Sequence, residues 1–122
     1  MENDRCTDGP RLVYPESLPP EFLAVAPPAE ALLAFCSKWR VDELSVWGRT
    51  TYYGDADQPI RMVVRFRKTA AVSSFMILHM EEQLSASFGR GVQLMEEAEV
   101  TFSANLILRQ RVLASARTLY RS

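Results

Sequence analysis

The hydrophobic and polar positions of the chain repeat with two different periods, and each period predicts a different kind of element. Residues 28–39, with the sequence PAEALLAFCSKW, carry apolar side chains at helical spacing, and the proline suits the first turn of a helix. Residues 42–47 and 60–66 alternate apolar and polar positions with a period of two, which predicts two strands. Residues 48–59 form the predicted loop between these strands.

The second half of the chain predicts a long helix, a short strand and a helical tail. Thr69 is the predicted N-cap of the long helix, and Gly89 marks its end. Residues 92–95 are expected to form a short strand, parallel to the strand that precedes the helix and joined to it by a right-handed crossover. Residues from about 96 to 120 are predicted to be helical, with Asn105 capping the final helix, LILRQRVLASARTLY.

The first 28 residues differ in composition from the rest of the chain. They hold all of the seven prolines except Pro59, and proline removes the backbone donors that regular elements need. We therefore expect a Pro-rich N-terminal arm over residues 1–28 and a single domain over residues 29–122. Apolar residues of the arm indicate that part of it packs on the domain or on a partner: Leu12, Val13, Tyr14, Phe22 and Leu23.

Charge and composition exclude several classes of function. The net charge of -1 and the pI near 5.8 give no overall field that would draw the chain to nucleic acid or to an anionic membrane. Neither a signal peptide nor a membrane span is indicated, so a cytoplasmic protein is expected. Cys6 and Cys36 show no disulfide or metal-ligand spacing, which predicts free thiols.

Four segments, in the right order, resemble the minimal nucleotidyltransferases of the DNA polymerase beta-like superfamily. The segments are AFCSKWRVDELSVWG, RMVVRF, LSASFGRGVQLM and LILRQRVLASARTLY, and together they cover residues from about 30 to 120. The resemblance implies an α+β nucleotidyltransferase fold: a small mixed sheet of about three or more strands packed against helices, with further helices at the C-terminus.

The residues at the family's metal-binding positions depart from the family pattern. Enzymes of this family use two carboxylates two residues apart on one strand and a third on the next strand to hold magnesium against a nucleoside triphosphate. The resemblance places Pro59 and Arg61 at the paired positions, Gln93 at the third, and Arg49 where a serine follows the loop glycine. It therefore implies a degenerate member with no catalytic residues, no metal site and no cofactor.

Two alternatives for this region stay open. A register slip of four residues would bring Asp55 and Asp57 towards the cleft as metal ligands, although a turn with solvent-facing acids is the simpler interpretation because the slip puts Pro59 inside a strand. Gly48, Arg49, Arg61 and Arg65 could instead bind phosphate or a nucleotide without metal. For the cationic face formed by Arg61, Arg65, Arg67 and Lys68, the competing interpretation is a solvated sheet face or salt bridges to glutamates. The candidate glutamates are Glu81, Glu82, Glu96 and Glu97.

Other candidate residues have ordinary structural interpretations. His79, the one histidine of the sequence, is expected on the surface of the long helix or partly buried in it. Four aromatic residues are expected near the loop, as core and rim or as a stacking surface: Trp39, Trp47, Tyr52 and Tyr53.

Three functions follow as hypotheses. Minimal nucleotidyltransferases are commonly paired with a small helical HEPN-type protein, so the resemblance implies an inactive binding protein, an antitoxin or subunit with a HEPN-type partner, or a homodimer. The second hypothesis is residual nucleotidyl transfer with ATP and magnesium through Asp55 and Asp57. The third is a metal-independent nucleotide sensor that uses Arg49 and Arg61.

Overall fold

The computed structural model describes residues 11–12, 20–48, 59–68 and 71–121, and these residues form one five-stranded mixed sheet with helices on both faces. The strands are β1 (Arg11–Leu12), β2 (Val41–Val46), β3 (Ile60–Phe66), β4 (Val92–Glu96) and β5 (Arg117–Arg121). The helices are α1 (Pro20–Val25), α2 (Ala29–Lys38), α3 (Ser74–Phe88), α4 (Glu97–Thr101) and α5 (Leu106–Ser115). The α+β class predicted from the sequence is confirmed. None of the described helices is long and apolar enough to cross a membrane.

The sheet has the strand order β1-β5-β2-β3-β4. Strand β3 runs parallel to β4, as predicted, and the other three pairs of neighbours are antiparallel. The end of β2 therefore lies beside the start of β3, and the start of β3 lies beside the start of β4. This arrangement gathers residues from three strands at one edge of the molecule.

Alternation along β3 divides the core into two layers. Ile60, Met62 and Val64 are at most 1% exposed, and they pack in the larger hydrophobic cluster with residues of α1, α2 and α3. Val63 faces the other way because successive side chains of a strand alternate between faces. It packs in a smaller cluster with Trp47, Val100 of α4 and Val112 of α5. The C-terminal helices thus cover the opposite face of the sheet.

The predicted helices are present, with one change of boundary. Helix α2 has the predicted range within one residue of each end, and Gly89 terminates α3 in the left-handed region at φ 69°. The predicted N-cap of α3 was wrong. The cap is Ser73, whose hydroxyl accepts a hydrogen bond from Met76 N at 3.2 Å, whereas Thr69 precedes the helix and lies outside the described residues.

The end of the chain differs most from the prediction. Helix α5 begins after the predicted cap Asn105, but it ends at Ser115, and residues 117–121 form strand β5 instead of the last helical turn. This segment pairs with β2 on one side and with β1 on the other, and Leu119 and Tyr120 become fully buried. The backbone hydrogen bonds and burial that the sheet offers override the helical spacing, and Thr118 and Tyr120 have high strand propensity.

The Pro-rich residues contribute two regular elements to the domain. Strand β1 pairs with β5, and α1 places Phe22 in the larger cluster with none of its surface exposed. The rings of Phe22 and Phe88 pack with centroids 5.5 Å apart. The predicted packing of Phe22 is confirmed. The expectation that the prolines disfavour regular elements in the arm is wrong over residues 20–25, which form a helix. Leu23 is 43% exposed, and Val13 and Tyr14 lie outside the described residues.

Burial also explains the state of the described cysteine. Cys36 is a free thiol on the inner side of α2, and burial raises its pKa to about 12. The thiol therefore stays protonated at neutral pH and packs as a small apolar side chain. Cys6 lies outside the described residues.

We predict that Phe22→Ala lowers the free energy of unfolding by about 3–5 kcal/mol, because it removes a fully buried ring from the core. The neighbouring Leu23→Ala is the matched control, with an expected change of about 0.5 kcal/mol since Leu23 is largely outside the core. Urea denaturation followed by circular dichroism measures both. Equal changes for the two variants would contradict the docking of α1 on the domain.

Candidate functional site

The candidate site lies where β2 ends and where β3 and β4 begin. Trp47 N donates a hydrogen bond to Arg61 O at 3.0 Å, which joins the end of β2 to the second residue of β3. Arg61 is in turn the register partner of Gln93 in the parallel pair. Neighbouring residues in register point to the same face of a sheet, so Arg61 and Gln93 stand side by side.

Arg61 is held against the aromatic ring of Trp47. Its guanidinium carbon is 5.6 Å from the ring centroid, a cation–π distance, and its Cδ passes 3.9 Å from the position that a Cβ on Gly48 would occupy. Gly48 has φ +73°, a conformation that favours glycine. The Trp47 ring and the Gly48 turn therefore fix the position of the Arg61 guanidinium.

Ser115 fixes this turn to helix α5. Its hydroxyl accepts a hydrogen bond from Gly48 N at 2.7 Å and donates one to Arg111 O at 2.6 Å, and the residue is only 4% exposed. Ser115 was not among the residues predicted from the sequence, because a serine near the end of a helix carries no signal for a contact with a residue 67 positions earlier.

The described part of the site does not suit a pair of magnesium ions. Magnesium prefers anionic oxygen ligands, yet the positions at which the resemblance places the family's carboxylates hold Pro59, Arg61 and Gln93, which offer no carboxylate. The described residues also include no group of three or more acids, histidines or cysteines placed to hold a metal. The guanidinium of Arg61 would repel a divalent ion by several kcal/mol at an effective dielectric near 20.

Arg65, the fourth of the predicted phosphate-binding residues, lies in a separate ion-pair cluster. Four residues of strand place it about 13 Å from Arg61. Its Nε donates to Asp42 Oδ2 at 2.7 Å, and its Nη1 lies 3.0 Å from Glu43 Oε1 and 3.6 Å from Glu97 Oε2. These contacts support the competing interpretation, in which Arg65 forms salt bridges with glutamates. Glu97 is one of the glutamates named in that prediction.

The same cluster sets the protonation of Arg65. Partial burial acts to lower the pKa of Arg65, but the hydrogen bond to Asp42 and the charges of Glu43, Asp42 and Glu97 together raise it. The guanidinium stays charged and already has three carboxylates around it, so we leave Arg65 out of the candidate site.

Several other predicted residues are separate from the site or outside the described part of the chain. Trp39 lies at the far end of β2, packs with the larger cluster and donates from Nε1 to Gln83 Oε1 at 2.9 Å, so its predicted place near the loop was wrong. His79 is on the surface of α3, as predicted, with Nδ1 3.7 Å from Glu82 Oε1. The remaining candidates lie outside the described residues: Arg49, Tyr52, Tyr53, Asp55 and Asp57.

Two surface depressions of the described residues lie away from the candidate site. One of about 390 Å³ lies between Arg65, Glu97 and Phe102. Another of about 580 Å³ lies at the start of α3, beside Ser73 and Glu81. Neither depression includes Trp47 or Arg61. We place the candidate site by the chemistry of these two residues and not by the volume of a depression.

Comparison with solved structures identifies the architecture. A mutant of the MntA-HpeT toxin–antitoxin complex superposes with a TM-score of 0.57 at 13% identity, over 76% of this chain and 72% of that chain. A toxin–antitoxin complex with AMP-PNP gives a TM-score of 0.55 at 13% identity, over 76% and 73% of the two chains. The chain has a minimal nucleotidyltransferase fold.

A third structure of this fold comes from Shewanella oneidensis. It contains a tri-AMPylated HEPN toxin in complex with MNT antitoxin, and it matches with a TM-score of 0.53 at 14% identity, over 76% of this chain and 69% of that chain. No protein-family model matches the chain, and no curated protein is similar to it in sequence. Identities of this size establish the nucleotidyltransferase fold alone, so the chemistry has to be argued from the residues of the site.

We predict that Ser115→Ala lowers the free energy of unfolding by about 1–3 kcal/mol, because Gly48 N loses its acceptor in a partly buried position. Ser87→Ala, on the exposed side of α3, is the matched control and should be nearly neutral. Urea denaturation gives the stabilities, and NMR hydrogen exchange should show faster exchange of the Gly48 amide only in Ser115→Ala. Unchanged exchange at Gly48 would contradict the proposed anchor.

Proposed function

We propose that this chain is a nucleotidyltransferase-fold binding protein, an antitoxin or subunit that acts on a HEPN-type helical protein by contact and without metal-dependent nucleotidyl transfer. The observation that carries the proposal is the placement of Arg61 beside Gln93 at the start of the parallel strands. These are two of the positions where an active member of the family needs carboxylates. A protein that keeps this fold but lacks those metal ligands can still act by binding a partner through its surface.

The known complexes support the choice of partner. The solved structures of this fold include toxin–antitoxin complexes, one of them between a HEPN toxin and MNT antitoxin. In that complex the toxin is tri-AMPylated. For this chain we propose the same class of partner but no AMPylation of it. Transfer of AMP needs bound metal, and the described part of the site suits a phosphate better than a metal.

The first test is co-expression with a HEPN-type protein, beginning with any that a gene neighbouring this chain's gene encodes. We predict that a tag on the chain recovers both proteins as a stable complex and that growth inhibition by the HEPN-type protein is relieved. Mass spectrometry after incubation with ATP and magnesium should show no added AMP on the partner. The Shewanella oneidensis pair, with its tri-AMPylated toxin, is the positive control for the modification.

Two results would contradict this proposal. If the two proteins elute separately, binding to a HEPN-type partner is wrong. If the partner gains AMP in the presence of this chain, the absence of transfer is wrong and the second hypothesis, with Asp55 and Asp57 as ligands, gains the evidence it needs.

One observation favours a second candidate function, the metal-independent binding of a nucleotide phosphate. The guanidinium of Arg61 is fixed by Trp47 beside the Gly48 turn, where it can pair with a phosphate oxygen without first being ordered. Such binding would make the chain a sensor whose contact with its partner depends on nucleotide. Arg49 follows Gly48 in the sequence and would add a second charge.

If this second function holds, a non-hydrolysable ATP analogue should raise the melting temperature in the presence of EDTA, and Arg61→Glu should abolish the rise by reversing the charge that faces the phosphate. Lys68→Glu is the matched control, since Lys68 is an exposed cation just beyond β3. Differential scanning fluorimetry measures all three proteins. A rise that survives in Arg61→Glu would remove Arg61 from the site, and one that requires magnesium would indicate a metal site.

A further inference from the structure

Helix α5 carries an unusually apolar outer surface. Leu106, Ile107 and Leu113 are 62%, 65% and 74% exposed, although they lie within eight residues of one another in a ten-residue helix. Single exposed apolar residues are common, but contiguous ones on a small domain mark a surface that binds another molecule. We name this surface the outer strip and define it as Leu106, Ile107, Gln110, Leu113 and Ala114.

Helical geometry shows that the outer strip is continuous. Each residue advances about 100° around the axis, so Leu106, Gln110 and Leu113 follow one line along the helix, with Ile107 and Ala114 beside it. The residues that face the sheet are on the opposite side, where Val112 and Ser115 are buried. The helix is therefore apolar on both sides, whereas a helix that faces only water is polar outside.

Two arginines border the outer strip. The same geometry places Arg109 on one flank and Arg111 on the other, and α5 contains no acidic residue. Within the described part of the chain, neither side chain forms an ion pair with a carboxylate. The surface thus combines an apolar centre with cations on both edges, which complements an apolar surface edged by carboxylates.

A second exposed apolar surface of the described residues, on α3, is edged by acidic instead of basic side chains. Helix α3 exposes Phe75 and Leu78, with Glu82 and His79 on the same side, and it contains no lysine or arginine. A partner surface edged by carboxylates would be repelled there. A partner surface edged by carboxylates is therefore expected to bind the outer strip of α5 and not the exposed surface of α3.

We propose that the outer strip of α5 is the docking surface for a helical surface of the partner that presents apolar residues bordered by aspartates or glutamates. This inference rests on the proposed function, since it names the surface by which the chain binds its HEPN-type partner. The apolar residues supply the binding energy at the centre of the contact, and Arg109 and Arg111 fix the orientation of the partner helix.

The test measures affinity in the complex of the full chain with the co-expressed HEPN-type protein, by biolayer interferometry. Leu106→Glu and Leu113→Glu should each weaken binding by about tenfold or more, because a carboxylate would be buried in the contact. Leu78→Glu, a matched change at an exposed leucine of α3, should leave the affinity within about twofold. The double variant Arg109→Glu/Arg111→Glu should also lose about tenfold, and Arg109→Lys/Arg111→Lys should retain most of the affinity. Unfolding curves of each variant confirm that the domain is folded.

Each contrary outcome identifies which proposal fails. If wild-type chain forms no complex, the proposed function fails and this inference fails with it. If the complex forms and Leu78→Glu weakens it while Leu106→Glu does not, the partner binds α3, so the inference is wrong and the proposed function stands. If the purified chain self-associates in sedimentation experiments and Leu113→Glu makes it monomeric, the outer strip binds a second copy, most simply through the acidic surface of α3, and the assigned occupant is wrong.

Discussion

The register of the parallel pair β3–β4 is the constraint on which the account depends. It places Arg61 next to Gln93, and the hydrogen bond from Trp47 N to Arg61 O brings the end of β2 to the same place. The resemblance to minimal nucleotidyltransferases implies that the family's metal-binding carboxylates belong at this edge. Here it holds a cation stacked on an indole ring. Coulombic repulsion between that cation and a divalent ion is worth several kcal/mol, and the same charge attracts phosphate.

The two faces of the sheet differ in role: one carries the larger hydrophobic core, and the other carries the helix for which we propose partner binding. Helices α1, α2 and α3 bury the larger core, which includes fully buried Phe22 and Tyr120. Helices α4 and α5 cover the other face with a smaller core, and Ser115 ties α5 to the Gly48 turn. Because α5 contacts the candidate site with its inner side and exposes the outer strip on the other, a partner bound to the strip would lie one helix away from Arg61. The hydrogen bond between Gly48 and Ser115 connects helix α5, which carries the outer strip, to the turn beside Arg61.

Elements with a strong local pattern were predictable, and those that depend on distant pairing were not. Strand β3 was predicted at both ends because its alternation persists over seven residues, and Gly89 marked the end of α3 through its left-handed conformation. Strand β5 was missed because its sequence suits a helix until two neighbouring strands offer it hydrogen bonds. At the site, the sequence predicted the cation of Arg61 and the neutral amide of Gln93. The contact of Ser115 with Gly48 and the carboxylates around Arg65 arise only in the folded chain.

Whether Arg61 stands where the resemblance places the family's metal-binding carboxylates is tested most directly by anomalous scattering. Crystals of the chain would be soaked with Mn²⁺ and a non-hydrolysable ATP analogue, and data would be collected at a wavelength where manganese scatters anomalously. With Arg61 in this position, no anomalous peak is expected at the starts of β3 and β4. A strong peak there, ligated by carboxylates such as those of Asp55 and Asp57, would contradict it.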